Sequence, residues 1–243
     1  MIQQNIGGRL SISKNYCILT IKKRDEVLLV ICLINGKMRT PKIEALHRLI
    51  IWYNSHYDGQ IPLLPLDNSP IQANSWASGF LDGDGSFYLN WLYDKKGLPT
   101  SLQYYLRISQ RRNYHRKSVV GTSYFDIMNK LSIFFSVPLR YRDRLRKSGY
   151  RELSYEVRTS NYVANYTLLS YLIQFPLFSY KYLAVVVQIE CLQLSVNREY
   201  KLPNGDRRLK ALKRKSKWSN YPKATRNRLH DRHLYTHFPI NQR

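Results

Sequence analysis

The feature that most restricts the fold is a short segment in which two glycines lie four residues apart on one face of a predicted helix. Trp76, Gly79, Phe80 and Gly83 follow the i, i+3, i+4, i+7 spacing of a single helix face. Each glycine costs a helix about 1 kcal/mol relative to alanine, so the pair needs a structural reason. A face without side chains lets a second helix approach closely, and the sequence therefore predicts a helix-pairing surface.

Two carboxylates, Asp82 and Asp84, lie at the C-terminal end of the same predicted helix. The helix dipole disfavours negative charge at this end, and a divalent cation would relieve the conflict. The letters DGDG are equally typical of an ordinary polar turn. The residues alone leave both interpretations open.

The segments after this helix alternate between polar and apolar side chains. Strands are predicted at 86–93, 102–110, 138–144 and 153–158, with helices between and after them. This order, αββαββαα, predicts an α+β domain whose antiparallel sheet has one polar face. We assign to that face Ser86, Tyr88, Asn90, Gln103, Tyr105, Arg107, Ser109, Arg140, Arg142, Arg144, Ser154, Glu156 and Arg158. Arg and Gln suit guanine and adenine edges, although an ordinary solvated sheet face has the same pattern.

The composition favours a polyanion as the partner. The chain has 39 Lys and Arg residues against 16 Asp and Glu, a net charge of +23, and 44% hydrophobic residues, enough for a core. A charge of this size points to nucleic acid before an anionic membrane. Neither a membrane span nor a lipid-facing amphipathic helix is apparent, so we expect no membrane partner. Three widely spaced cysteines argue against a disulfide framework and a Cys-based zinc site.

An internal repeat divides the chain. With a shift of 139 residues, the segment 29–46 aligns without gaps on 168–185, and Lys42 falls on Lys181. The first block therefore resembles the back half of a unit that is complete later. The predicted organisation is a partial first unit at 1–54, a linker at 55–73, a complete unit at 74–197 and a basic tail at 198–243. The tail, with 14 Lys or Arg residues and three acids, is typical of a solvated arm or a phosphate-contacting one.

The segment ASGFLDGDG at 77–85 resembles the LAGLIDADG motif of homing endonucleases and intron maturases. The strand order, the repeat and the lysine before each second helix extend the resemblance over residues 8–196. The resemblance implies two αββαββα units that pack through their motif helices. It also implies a saddle-shaped antiparallel sheet that lies in the major groove of double-stranded DNA, and site-specific cleavage by a homing endonuclease.

The family's catalytic roles fall on five residues of this sequence. By resemblance, Asp84 binds Mg²⁺, with the Gly83 carbonyl as a second ligand. Lys181, and Lys42 through the repeat, match the active-site lysine, and Gln110 matches a polar residue of the water network. Trp76, Gly79, Phe80 and Gly83 match the helix interface.

The chain departs from the family pattern because the first motif helix is absent. We expect either an upstream extension or self-association of two chains to complete the motif helix. The alternatives are a maturase that binds intron RNA without cutting DNA, and an inactive truncated remnant. Family members with such sequences are typically intron-encoded in organelles, which predicts a mitochondrial location.

Overall fold

The computed structural model describes residues 2–13, 16–116 and 121–216. By its internal contacts the chain divides into two compact units, Met1–Ser69 with Asn113–Ile127, and Pro70–Arg112 with Met128–Arg243. The part of the predicted basic tail after residue 216 lies outside the described residues.

The first unit combines a β-hairpin with helices. Its elements are α1 (Ile2–Ile6), β1 (Arg9–Ile12), β2 (Cys17–Thr20), α2 (Arg24–Ile34) and α3 (Ile43–Tyr57). The two strands pair antiparallel. The core of this unit joins α2 to α3 through four buried side chains, Ile31, Leu46, Ile50 and Tyr53. Their helical spacing within α3 gives that helix one apolar face.

The predicted linker is attached to the first unit. The helix α3 continues to Tyr57, three residues beyond the expected boundary at 54. Asn35 then donates through its side-chain amide to the Pro62 carbonyl at 2.9 Å, and the His47 ring lies 2.9 Å from the Leu64 carbonyl. The pattern of Pro, Gly and Asp correctly indicates irregular backbone, but it carries no information about these long-range contacts.

A buried ion pair joins the end of this segment to the rest of the first unit. The Arg39 guanidinium, whose side chain is 2% exposed, lies 2.8 Å from Asp67 Oδ2 and donates to the Ser69 carbonyl at 2.9 Å. Burial alone would raise the pKa of Asp67, but hydrogen bonds from Ser69 and Arg39 outweigh it and hold the pKa below its ordinary value of 3.8.

Replacing Asp67 with Asn should therefore destabilise the chain by about 1–3 kcal/mol at neutral pH, because it weakens a buried charged hydrogen bond. Since the folded pKa is lowered, the contribution is complete above pH 3.8 and is lost as the pH falls through the folded value. Denaturant unfolding should show the variant and the parent converging in acid. Asp58→Asn, at an exposed helix end, is the matched control and should change little.

The second unit contains the longer sheet. Its elements are α4 (Trp76–Asp84), β3 (Gly85–Tyr93), β4 (Pro99–Arg111), β5 (Arg140–Leu145), β6 (Arg151–Arg158), α6 (Tyr162–Gln174), α7 (Tyr182–Val196) and α8 (Gly205–Lys215), while α5 (Phe125–Phe134) crosses the boundary between the units. The four strands are antiparallel in the order β3-β4-β6-β5. The α+β class and the predicted element order are confirmed.

The strand register separates the two faces of this sheet as the alternation predicts. Tyr88 faces Tyr105 on one side, whereas Leu89 faces Tyr104 on the other. Continued across β6 and β5, the first side carries all thirteen residues assigned to the polar face, and we call it the polar face. Its opposite is the apolar face.

The internal repeat is visible in the backbone. The helices α3 and α7 begin 139 residues apart, at Ile43 and Tyr182, and each contains 15 residues. The Ile43 amide donates to the Thr40 carbonyl at 3.1 Å, and the Tyr182 amide donates to the Ser179 carbonyl at 3.2 Å. The same turn thus precedes both helices at equivalent positions.

The beginning of the tail belongs to the core, contrary to the expectation of a solvated arm. Leu209 and Leu212 of α8 are buried with Trp91, Tyr104 and Cys191 on the apolar face. Six of the eleven α8 residues are basic. The high net charge of this segment does not reveal its apolar side. Two leucines three residues apart are enough to anchor a basic helix on the core.

The segment 113–127 groups with the first unit, although its sequence position places it within the predicted complete unit. Backbone pairing joins the two ends of this segment. The Tyr114 amide donates to the Thr122 carbonyl at 2.7 Å, and Asn113 forms an antiparallel β-bridge with Ser123. Within the described residues, no helix is long and apolar enough to cross a membrane.

Candidate active site

The site begins where α4 passes directly into β3. The side of α4 that includes Ala77 and Leu81 is buried, and the helix ends at Asp84. A Cβ atom on Gly85 would lie 2.6 Å from the Leu81 carbonyl oxygen, so only glycine fits this junction. The spacing of glycines in the sequence singles out Gly79 and Gly83 but not Gly85, whose requirement appears only once the helix and the strand are joined.

Asp84 and Gln110 are in direct contact. The Gln110 side-chain amide donates to Asp84 Oδ2 at 2.6 Å. In the strand register Gln110 pairs with Tyr155 on the apolar face, which allows it to reach the helix end. Asp84 is exposed, and its Oδ1 has no hydrogen-bond partner among the described residues. One carboxylate oxygen is therefore fixed and the other is open.

Lys181 lies at the end of the same helix. Its ammonium group donates to the carbonyls of Leu81, Asp82 and Gly83 at 3.3, 2.7 and 3.1 Å. Burial lowers the pKa of Lys181 below its ordinary value, against the opposing charges of Asp82 and Asp84. The lysine thus caps the helix C-terminus with positive charge. We call Asp84, Gln110 and Lys181 the Asp84 cluster.

The Asp82 carboxylate connects α4 to the turn before α7. It accepts hydrogen bonds from the Phe178 amide at 2.6 Å and from the Ser179 hydroxyl at 2.6 Å. It ties α4 to the turn that presents Lys181. The sequence places Asp82 at the helix end but does not identify Ser179 as its partner. The repeat offered a signal, because Thr40, also a hydroxyl residue, is the equivalent of Ser179.

The donor set of the Asp84 cluster fits a divalent cation that also binds a phosphate. Among the described residues, no group of three or more His, Cys, Asp or Glu side chains could hold a metal ion. Mg²⁺ is usually bound by one or two carboxylates, with waters and substrate phosphates completing its shell. The open oxygen of Asp84 meets that requirement, whereas the Gly83 carbonyl already accepts a hydrogen bond from Lys181.

Lys42 belongs to the first unit, whereas the Asp84 cluster lies in the second. It is exposed and lies at the N-cap of α3, as Lys181 lies at the N-cap of α7. The local backbone supports the equivalence of the two lysines. The catalytic role of Lys42 stays a prediction.

The proposed helix-pairing surface is open. Gly79 and Gly83 are exposed, and a Cβ atom at either position would meet nothing within 4 Å among the described residues. Trp76 and Phe80 stack on each other, with ring centroids 5.0 Å apart. This arrangement suits a partner helix, and the pairing stays a prediction.

The polar face is less uniformly exposed than the alternation predicts. Arg107, Arg140 and Arg144 are exposed, but Ser154 and Glu156 are buried, at 7% and 4% of their accessible surface. Glu156 is covered because its carboxylate binds two arginines, Arg142 and Arg158. Alternation assigns a residue to a face, but it does not show which long side chains fold over it.

The sequence model of the LAGLIDADG endonuclease family matches residues 77–191. This range runs from the motif helix through the strands to α7 and contains the whole Asp84 cluster. Residues 77–191 belong to the LAGLIDADG endonuclease family. The predicted resemblance is confirmed.

Comparison with a curated endonuclease agrees. The chain is 31% identical over 194 residues to the intron-encoded DNA endonuclease aI3 of Saccharomyces cerevisiae. That alignment covers 71% of this chain and 46% of aI3, so the chain spans about half the length of this curated relative.

Two solved LAGLIDADG structures share the fold. The meganuclease I-AabMI bound to uncleaved DNA has a TM-score of 0.61 at 16% identity. The match covers 87% of this chain and 82% of the I-AabMI chain. The meganuclease I-SmaMI bound to uncleaveable DNA has a TM-score of 0.60 at 15% identity and covers 87% and 80%. At this identity the similarity establishes the fold.

Proposed function

We propose that this chain is a site-specific, Mg²⁺-dependent homing endonuclease that binds double-stranded DNA on the polar face and hydrolyses phosphodiester bonds beside Asp84. The observation that carries the proposal is the Asp84 cluster, in which an exposed carboxylate, an amide and a lysine meet at one helix end. The DNA-bound family structures support the choice of partner.

The residues of the cluster have separable roles in this proposal. Mg²⁺, when bound, would polarise the phosphate and activate a water molecule. Asp84 would hold the metal, and Gln110 fixes one oxygen of its carboxylate. Lys181 adds positive charge where negative charge develops on the phosphate, and it neutralises the helix carbonyls that would otherwise repel that charge.

Cleavage mapping tests this proposal directly. The purified chain is incubated with Mg²⁺ and genomic DNA, with and without EDTA, and the new ends are sequenced. We expect ends that concentrate at one sequence and disappear with EDTA. Ends scattered without sequence preference, or the absence of cleavage, would contradict a site-specific nuclease.

Gln110 should matter as an outer-shell partner of Asp84. Gln110→Ala should reduce Mg²⁺-dependent cleavage by about 10–100-fold, the usual effect of removing such a partner. Gln103→Ala is the matched control because Gln103 lies on the same strand but on the polar face. It should alter DNA recognition without changing the Mg²⁺ concentration needed for half-maximal cleavage. Equal effects of both variants on that concentration would contradict the assignment.

Binding should depend steeply on salt because the exposed arginines of the polar face displace counterions from DNA. Arg107→Gln should reduce the slope of log K against log salt concentration by about one unit. Arg151→Gln is the control, since Arg151 is engaged by Asp143 at 2.5 Å. Filter binding at several salt concentrations measures both slopes, and a flat plot for the parent would exclude phosphate binding.

A second candidate function, binding of intron RNA as a maturase, is favoured by the position of α8. Because Leu209 and Leu212 pack on the apolar face, the basic residues of α8 lie on the other side of the sheet from the polar face. Charge reversal at Arg207 and Lys213 should weaken intron RNA binding and leave duplex DNA binding unchanged. Equal losses for both nucleic acids would remove this candidate.

We also propose that the chain is a product of a mitochondrial intron. The intron-encoded yeast relative and the family resemblance support this location. In cells, synthesis of the chain should stop with chloramphenicol, which blocks mitochondrial translation, and continue with cycloheximide. The reverse pattern would contradict organellar synthesis.

A further inference from the structure

Five side chains on the polar face form a continuous series across all four strands. Arg142 on β5 and Arg158 on β6 both donate to Glu156 Oε1, at 3.0 and 3.3 Å. The Arg158 guanidinium lies 4.5 Å from the centroid of the Tyr105 ring on β4. Tyr105 in turn stacks on Tyr88 of β3, with centroids 4.6 Å apart and planes inclined by 18°.

The centre of this series is an unexpected carboxylate. A surface that meets phosphates should avoid anions, yet the Glu156 side chain is only 6% exposed and lies in the middle of the polar face. A buried carboxylate is tolerated when it is paired and hydrogen-bonded. Because both arginines share its Oε1, the effect of Glu156 is to fix two guanidinium groups relative to each other.

Fixed guanidinium groups differ from free ones in what they can recognise. An arginine has five N–H donors, so Arg142 and Arg158 each keep donors after binding Glu156. Bidentate recognition of a guanine edge needs a guanidinium in a defined orientation, and prior ordering reduces the entropy lost on binding. By contrast, Arg107, Arg140 and Arg144 make no ion pair among the described residues and suit phosphates, which require charge but little geometry.

We propose that Glu156 is a positioning residue for sequence recognition, which holds Arg142 and Arg158 so that they read base edges, with Tyr105 and Tyr88 supporting Arg158. The inference rests on the proposed function, because it assumes that the polar face meets DNA. It separates the arginines that discriminate between base sequences, Arg142 and Arg158, from the arginines that provide affinity for phosphates. It also predicts opposite effects on the two properties when Glu156 loses its charge.

The test is selection from a pool of duplexes with 30 random base pairs, using the full chain and two variants. Glu156→Gln should lose base preference by about tenfold or more at a contiguous group of positions, the discrimination that a bidentate arginine provides. Its affinity for the unselected pool should be equal or higher, because the variant has one negative charge less.

Glu152→Gln is the matched control. Glu152 lies on the same strand and face, and it binds Arg146 at 2.7 Å, away from the Tyr105–Tyr88 stack. It should tighten binding to the pool similarly and keep the parental base preference. Preference that survives Glu156→Gln, or that is lost equally in Glu152→Gln, would overturn the inference.

Arg158→Lys provides an independent variant in case Glu156→Gln folds poorly. It keeps the charge but removes the planar guanidinium, so it should lose preference at part of the same positions with an unchanged salt slope. Retained preference would overturn the role of Arg158. If the parent itself enriches no sequence while binding the pool, the proposed site-specific function fails together with this inference, and the variants are then indistinguishable from the parent.

Discussion

Asp84→Asn should abolish Mg²⁺-dependent DNA cleavage while leaving duplex binding largely unchanged. Asn keeps the size of the side chain and can still accept the Gln110 hydrogen bond, but it removes the negative charge that would hold the metal. Since loss of an outer-shell partner costs roughly 10–100-fold, loss of the metal carboxylate itself should cost more than about 100-fold. Single-turnover cleavage and filter binding, measured on the same preparations, separate the two effects.

Asp94→Asn is the matched control for this charge change. Asp94 is an exposed turn residue whose carboxylate accepts the amides of Lys96 and Leu98 at 2.8 Å, and Asn can replace it in that turn. This variant should cut like the parent. An Asp84→Asn variant that cuts at the parental rate would show that the metal site is elsewhere. A parent that cuts no DNA but promotes splicing of an intron RNA would favour the maturase alternative.

Lys181→Met should both destabilise the second unit and impair cleavage. Three carbonyls at the end of α4 lose their charged donor, which should lower the free energy of unfolding by about 1–3 kcal/mol. Removing one charge-stabilising donor from an active site typically reduces the rate about 100- to 1000-fold. Chemical denaturation and single-turnover cleavage measure these two consequences.

Lys42→Met is the control that the repeat supplies. Lys42 occupies the equivalent turn, but its side chain is exposed and makes no hydrogen bond among the described residues, so its replacement should leave the free energy of unfolding nearly unchanged. A loss of stability equal to that of Lys181→Met would contradict the capping role assigned to Lys181.

The lowered pKa of Lys181 adds a pH signature. Because the folded pKa lies below the ordinary 10.5, the unfolded chain binds more protons in the interval below that value, and stability rises with pH there. Lys181→Met should remove this part of the slope. An unchanged slope of the free energy of unfolding against pH would show that another group produces it.

The parts of the structure that the sequence predicted depend on periodic patterns. Alternation in the strands assigns side chains to the polar face, and the register confirms each assignment. The family resemblance points to Asp84, Gln110 and Lys181, which the structure brings to one helix end. The shift of the repeat aligns the two turns that begin α3 and α7. Such features recur at fixed spacing and are therefore readable without coordinates.

The parts that the sequence did not predict depend on contacts between distant residues. Ser179 receives its role from Asp82, 97 positions earlier, and Glu156 is buried where it binds Arg142 and Arg158. The helix α8 is hard to recognise from its charge, since Leu209 and Leu212 are the two side chains that it contributes to the apolar core. No local pattern encodes which distant side chain completes a contact.

The most direct test of the central claim is to locate the bound metal without relying on cleavage of DNA. Fe²⁺ is substituted for Mg²⁺ in the full chain bound to duplex DNA, and ascorbate and peroxide generate radicals that cut the backbone beside the metal. Peptide mapping should find cuts around residues 83–85 and 110, which excess Mg²⁺ suppresses and Asp84→Asn abolishes. Cuts elsewhere, or cuts at these positions that persist in Asp84→Asn, would contradict a metal centre at Asp84.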